Sequence, residues 1–262
     1  MKRILVLALS VILALVMSAP IVLAQSSNEN SQANENPTVL PPAQQNSKNS
    51  YAQLSAKWWQ WAFSIPAPDN PFTKNVETDG AKCKVGQSGE TWFLAGSIGA
   101  TDQSHTGFDV DRVCDVPAGK KLFFPIINTE CSTVEGNGST DEELSKCAKD
   151  GIGFALQTSQ DMKASVDGVP IKNLDPSKTP YHVASGPFTF TLPDNSIDTF
   201  CNGGTQQCGP LPLPGTNASA DGVYLLLAPL PKGKHEIRFG GKFFVGYPFE
   251  FDENNRYVIN VV

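Results

Sequence analysis

Clustered positive charge, histidine and the short catalytic signatures are what this chain has least of. Its 262 residues include 20 Lys and Arg against 26 Asp and Glu, a formal net charge of −6. No basic cluster interrupts that mild acidity, which argues against nucleic acid as a partner and gives no reason to seek anionic lipid. There are only three histidines, His105, His182 and His235, so a three-histidine metal site would need all of them. His235 falls on the apolar face of its strand pattern, where a hydrogen-bonded core histidine is the common outcome; the other two fall in loop-like stretches. No two cysteines are spaced Cys-x-x-Cys, which argues against a redox pair or a zinc knuckle. Gly-x-Ser-x-Gly, His-Glu-x-x-His and a phosphate-cradling glycine loop are also missing. These absences lower the odds of the commonest hydrolase and nucleotide mechanisms without excluding an enzyme, and no cofactor is implied.

What is present begins with an export signal. Met1-Lys2-Arg3 precedes an apolar run from Ile4 to Met17, and Val22-Leu23-Ala24 supplies small residues for cleavage after Ala24. An uncleaved anchor is the alternative, because Ile4 to Ala24 is just long enough to span a bilayer. Nothing later in the chain resembles a membrane span. Removing Lys2 and Arg3 with the leader leaves 18 basic residues against 26 acids, a formal −8. Residues 25–49 are rich in Asn, Gln, Ser and Pro and poor in large apolar side chains, the composition of a disordered tether. The folded part is therefore expected over 50–262, and a division into two subdomains would fall near residue 162. The expected location is secreted, cell-surface or periplasmic.

The six cysteines, Cys83, Cys114, Cys131, Cys147, Cys201 and Cys208, are an even set in an exported chain and predict three disulfides. Sequential pairing is the working expectation, with Cys201–Cys208 enclosing a Gly-rich loop.

The densest apolar signal is Ser50 to Pro66. Tyr51, Leu54, Trp58, Trp61 and Ile65 recur at helical spacing, and Ala52, Ala56, Trp59 and Phe63 form a second face. Only Gln53, Lys57, Gln60 and Ser64 remain as a polar stripe, so the helix should be largely buried. Ser50 with Gln53 fits a capping box, and Pro66 ends the run. This reads as a structural keystone; the competing reading is an aromatic platform for a ligand, with Trp59 and Trp92 as the stacking residues.

Downstream, Thr140-Asp141-Glu142-Glu143 predicts a helix over about 141–149, resuming through Phe154 to Leu156 after Gly151 and Gly153. The remainder reads as strands: Glu90 to Ala95, Leu122 to Ile127 with a bulge or strand end at Pro125, and a hairpin turning on Asp167-Gly168. Further strands are read at Phe188 to Leu192, Val223 to Leu227, His235 to Phe239, Val245 to Phe251 on an edge, and Tyr257 to Val262. The fold class is mainly β, an antiparallel sandwich or jelly roll, with the Trp-rich helix and one or two further short helices.

Several strings stand out together: Trp58-Trp59-Gln60-Trp61, Trp92-Phe93-Leu94-Ala95-Gly96, and Cys114 to Lys120 running into Phe123-Phe124-Pro125. Asp221-Gly222 and Pro229 to His235 complete the set. As a set they resemble a group of secreted prokaryotic proteins without an assigned activity, a resemblance spanning most of Ser50 to Gly241. It implies export and no catalytic residue. A shorter likeness, Val-Asp-Gly with Pro-x-Gly-Lys-His-x-Ile, is to strand turns of immunoglobulin-like and carbohydrate-binding sandwiches.

Four chemistries are carried forward. Asp102, Asp109 and Asp111 flank Gly107 in an oxygen-rich loop that would suit calcium, against a merely solvated acidic loop. Glu90, Glu130, Glu135, Glu250 and Asp252 are candidates for the carboxylate pair of a secreted polysaccharide hydrolase. Asn137-Gly138-Ser139 and Asn217-Ala218-Ser219 are glycosylation sequons in expected loops. The reading that unites the rest is a non-enzymatic exported protein that binds a glycan or an envelope protein.

Overall fold

A computed structural model describes residues 38–42, 50–72, 80–96, 110–196, 212–246 and 249–262. All belong to one compact unit, Glu35–Val262. The leader lies outside the described residues, and among them no helix is long and apolar enough to cross a membrane.

Helix α1 runs from Tyr51 to Ser64, as its apolar spacing requires. Ser50 caps it, its hydroxyl accepting from the Gln53 N–H at 3.3 Å. Pro66 drives Ile65 out of helical geometry, and the loop behind it does more than terminate the helix. There Asn70 is fully buried and its amide donates to the Ala62 and Ile65 carbonyls at 2.6 and 2.8 Å, satisfying the helix's last acceptors. Ala67–Asp69 within the same loop is a short 3-10 turn.

The body is a β-sandwich of two sheets. Numbered along the chain, the strands are β1 (Thr91–Phe93), β2 (Val110–Val116), β3 (Lys121–Ser132), β4 (Gln160–Val166), β5 (Val169–Pro170), β6 (His182–Leu192), β7 (Leu213–Leu227), β8 (Gly233–Gly246) and β9 (Phe249–Val261). The first sheet has order β1-β3-β7-β6 and the second β2-β9-β8-β4-β5. Most pairings are antiparallel, but β1 joins β3 and β2 joins β9 in parallel. Both sheets draw strands from each side of residue 162, so no subdomain boundary falls there. Phe124 meets Phe239 between the sheets, ring centroids 4.6 Å apart, and Phe239 stacks on Tyr257.

Local predictions hold where the signal is local. Asp167 and Gly168 have φ of 52° and 78°, the paired positive values of the hairpin turn that joins β4 to β5. The β3–β7 register slips between Pro125 and Ile127, because proline cannot donate to the ladder. Helix α2 (Asp141–Thr158) opens on a full capping box, Thr140 with Glu143. It continues without a break through Gly151 and Gly153, where an interruption was expected. Buried Ile152, Ala155 and Leu156 on its packed face outweigh a glycine cost of about 1 kcal/mol each.

Two expectations are corrected. The stretch expected as one edge strand, Val245 to Phe251, contains the β8–β9 reversal, and β9 lies inside its sheet between β2 and β8. Part of the expected tether is also ordered against the sandwich. Val39 is buried and bridges Leu227, and the Leu40 N–H donates to the Leu226 carbonyl at 2.8 Å. This segment occupies the β7 edge beyond Val223, where its pairing with β6 ends. The Tyr51 hydroxyl seals the junction, donating to the Leu40 carbonyl and accepting from the Leu226 N–H.

Disulfides Cys83–Cys114 and Cys131–Cys147 are present, in the sequential order expected, and fit an oxidising compartment. Cys201 and Cys208 lie outside the described residues. Cys114 sits on β2, a strand that the sequence pattern did not mark. A Cβ on Gly80, at φ +85°, would lie 1.8 Å from the Val113 carbonyl, so only glycine lets the chain cover that strand edge. Arg112 of β2 is 2 % exposed and donates to the Ala95 and Pro71 carbonyls and the Tyr257 hydroxyl, tying the sheet to two loops.

Candidate functional site

The tryptophans were the sharpest functional candidates in the sequence. Trp58 is fully buried, and Trp59 and Trp92 are 8 % and 6 % exposed. The Trp58 and Trp61 indole N–H groups donate to the Leu94 and Val85 carbonyls at 2.9 and 3.0 Å. Trp59 stands edge-on to Trp58 and stacks on Phe63, which meets Phe190 of β6. Neither Trp59 nor Trp92 presents an open face on which a ligand could stack. The physical reason is the apolar surround of α1, which covers both of its Trp-bearing faces.

Beneath α1, the Tyr224 hydroxyl of β7 is completely buried. The Asn128 amide, the Trp59 indole and the Ser55 hydroxyl surround it, although none is aligned for a fully formed hydrogen bond. Burial pushes the phenol pKa well above its ordinary value; its polar neighbours pull the other way without cancelling the shift. Tyr224 is therefore a fixed neutral group at any physiological pH.

The polar stripe of α1 is what opens to solvent. Lys57, Gln60 and Ser64 form one bank of a groove of about 640 Å³. The other bank is Gly86 to Thr91, contributing Ser88, Glu90 and the Thr91 hydroxyl, with Trp61 and Phe93 as the apolar wall. Gln60 is held in place by donating to the Thr189 carbonyl at 2.8 Å. The loop bank is braced by Gln87, whose side chain exchanges hydrogen bonds with the backbone of Phe93. The groove combines an ammonium, a carboxylate, an amide and hydroxyls along an aromatic edge, a set suited to a hydroxyl-rich chain.

The remaining candidates are dispersed. Asp102, Asp109 and His105 lie outside the described residues. Asp111 is engaged by Arg256 at 2.8 Å, and no cluster of metal-ligating side chains occurs among the described residues. His182, expected in a loop, begins β6 and stands 2.8 Å from the buried Asp221 carboxylate. His235 is at the start of β8 rather than in the core. Its ring nitrogens face the Asp167 carboxylate at 2.8 Å and the Pro231 carbonyl at 2.9 Å. Burial pulls the His235 pKa down, but these two acceptors outweigh it, so the net shift is upward.

Of the hydrolase acids, Glu90 hydrogen-bonds through its carbonyl to the Lys121 N–H at the start of β3, and Glu130 sits nine residues further along that strand. That is roughly 30 Å, beyond the 5–9.5 Å a glycosidase pair needs. Asp252 pairs with Lys242 on the other sheet, Glu135 lies in the turn after β3, and the Glu250 side chain is outside the described part. Asn137 is exposed in that same turn, its side-chain oxygen accepting from the Ser132 N–H. Asn217 is exposed too, but on β7 rather than in a loop.

No family model, curated protein or solved structure matches this chain. The chemistry of its surfaces is accordingly the guide to function. Residues that sequence reading missed are Ser88, Thr91 and the buried Asn128, Ser132, Thr216 and Tyr224. The alternation Asn128, Glu130, Ser132 carried a legible period-2 signal just past the apolar run of β3.

Proposed function

We propose that this is an exported binding protein that takes a glycan in the groove between α1 and the 86–91 loop. One observation carries the reading: the only polar stripe on an otherwise buried helix faces this groove, opposite a loop of hydroxyls and one acid. Sugar hydroxyls both donate and accept, matching Gln60, Ser88 and Thr91, while Lys57 and Glu90 offer charge-assisted contacts. The leader-like sequence ahead of residue 25 and the two disulfides support export. The hydrolase alternative is weaker, since Glu90 is the one carboxylate among the groove's described lining residues.

The test is a glycan-array screen of the full chain, with released sugars assayed in the same wells. Binding without turnover is expected, and Lys57→Ala with Glu90→Gln should weaken it at least about tenfold, or about 1.4 kcal/mol, while the melting temperature holds. Binding indifferent to both substitutions, or no binding at all, would sink the groove reading. Released sugar would establish the hydrolase instead.

A further inference from the structure

The outer face of the second sheet carries a hollow that shares no residue with the α1 groove. Lys163 and Ser165 of β4, Arg238 of β8 and Asn254 of β9 point outward, because their neighbours Ala164, Ile237, Phe239 and Asn255 are buried. The ladder sets Lys163 and Asn254 on either side of Gly240, and Ser165 beside Arg238. Gly240 has φ +149°, and a Cβ on it would lie 1.9 Å from the Glu253 carbonyl. Only glycine fits there, so no side chain stands between Lys163 and Asn254. The Asp167-Gly168 turn folds β5 back beside β4, and Gly168 and Pro170 raise one wall. The cavity measures about 510 Å³, within the range of small-ligand sites.

Its charge is one-sided. Lys163 and Arg238 both line it, and no carboxylate is among its described lining residues. The acids of this face are engaged elsewhere. Glu236 accepts from the Arg238 and Arg256 Nε groups at 2.8 and 2.7 Å, Asp111 accepts from Arg256, and Asp252 pairs with Lys242. Asp167, beside the wall, accepts from the Glu236 N–H and faces His235. Lys163 has no ion-pair partner among the described residues. Lys163 and Arg238 are diagonal neighbours on adjacent strands, roughly 7–8 Å apart at the backbone, a spacing that one anionic group between their long side chains can bridge. An ordinary solvated face would mix the signs; here the cations converge on a hollow in a chain of net charge −6.

We propose that this cavity binds a sugar acid, one uronate residue in size. Its carboxylate lies between the Lys163 ammonium and the Arg238 guanidinium, whose orientation Glu236 fixes through Nε. The ring hydroxyls exchange hydrogen bonds with the Ser165 hydroxyl and the Asn254 amide, and a C–H face of the sugar lies against Pro170. Those last three residues are what a bare inorganic anion would leave unused. The α1 groove plays no part in this site, which stands or falls independently of it.

The experiment is calorimetry and saturation-transfer NMR on the full chain. The probes are the methyl glycosides of glucuronic and galacturonic acid, their neutral glucose and galactose counterparts, and sulfate. At least one uronide should bind, at least about tenfold tighter than its neutral counterpart and than sulfate. Lys163→Gln and Arg238→Gln should each weaken that binding about tenfold or more. Lys163 is exposed, so its replacement should leave the melting temperature unchanged and the loss is one of binding alone. Lys57→Ala, in the α1 groove, should leave uronide binding intact, which separates failure here from failure of the groove. The proposal is overturned if neither uronide binds, if sulfate or the neutral glycosides bind as tightly, if binding ignores Lys163→Gln, or if Lys57→Ala abolishes it.

Discussion

The two α-helices among the described residues are secured in opposite ways. Helix α1 has no acid in its first turn and no base in its last, so side-chain charge does nothing for its macrodipole. What holds it is outside it: eight buried side chains, indole N–H bonds to distant carbonyls, and Asn70 reaching back to its C-terminus. Helix α2 has three acids in its first turn, a reciprocal capping box and the Cys131–Cys147 bond to β3, but only five buried residues in eighteen. One helix is stable because the fold closes around it; the other brings much of its stability with it and is then stapled. The contrast teaches that a helix rich in tryptophan can depend on tertiary contacts more than a polar one does.

The comparison breaks first at Trp58. Trp58→Ala should cost about 3–5 kcal/mol, or roughly 6–20 °C in melting temperature at this size, measured by chemical and thermal denaturation. A loss under about 1 kcal/mol would mean that α1 is no keystone. A smaller effect is expected from Cys131→Ala with Cys147→Ala. Opening a link across 16 residues should cost about 3 kcal/mol and speed amide exchange in α2 while α1 stays protected. Faster exchange in α1 as well would show that the two helices are not independently secured.

The smallest effect is on acidity and concerns α2 alone. The Glu143 carboxylate accepts from the Ser139 backbone and hydroxyl and the Thr140 N–H, which hold its pKa below 4.5. A depressed acid stabilises fully above its unfolded pKa, and that contribution disappears as pH falls through the folded value. The cap should thus be intact above about pH 5 and lost below 4.5. An NMR titration should place the Glu143 carboxyl midpoint below 4.5, with the first-turn amides of α2 following it and those of α1, capped by Ser50, unmoved. A midpoint at or above 4.5 would contradict the capping box.

Much of the architecture was readable from nearby residues. The helical period of α1, the Thr140–Glu143 box, the Asp167-Gly168 turn and the Pro125 bulge each depend on chemistry within about four positions of the chain. Strand β2 was missed because its strand partner among the described residues, β9, is 145 residues away in the register that pairs Asp111 with Arg256, and its pattern alone is ordinary. The candidate sites were legible only in part. Lys57, Gln60 and Ser64 were visible as a stripe, but nothing nearby marked the loop that faces them. Trp59 looked like the exposed tryptophan and proved buried, since exposure depends on what packs against a side chain.

The amino-acid order by itself determined the fold class, the helix starts and the tight turn, because caps, periods and turn dihedrals are set by adjacent residues; it left the cysteine pairing open, and the structure shows Cys83–Cys114 and Cys131–Cys147. Only the tertiary structure decided the parallel β1–β3 and β2–β9 pairings, the burial of Arg112 and the placing of the 86–91 loop opposite the polar stripe of α1. Those depend on which distant strands lie side by side and in what register, and that is settled by the joint packing of the whole core.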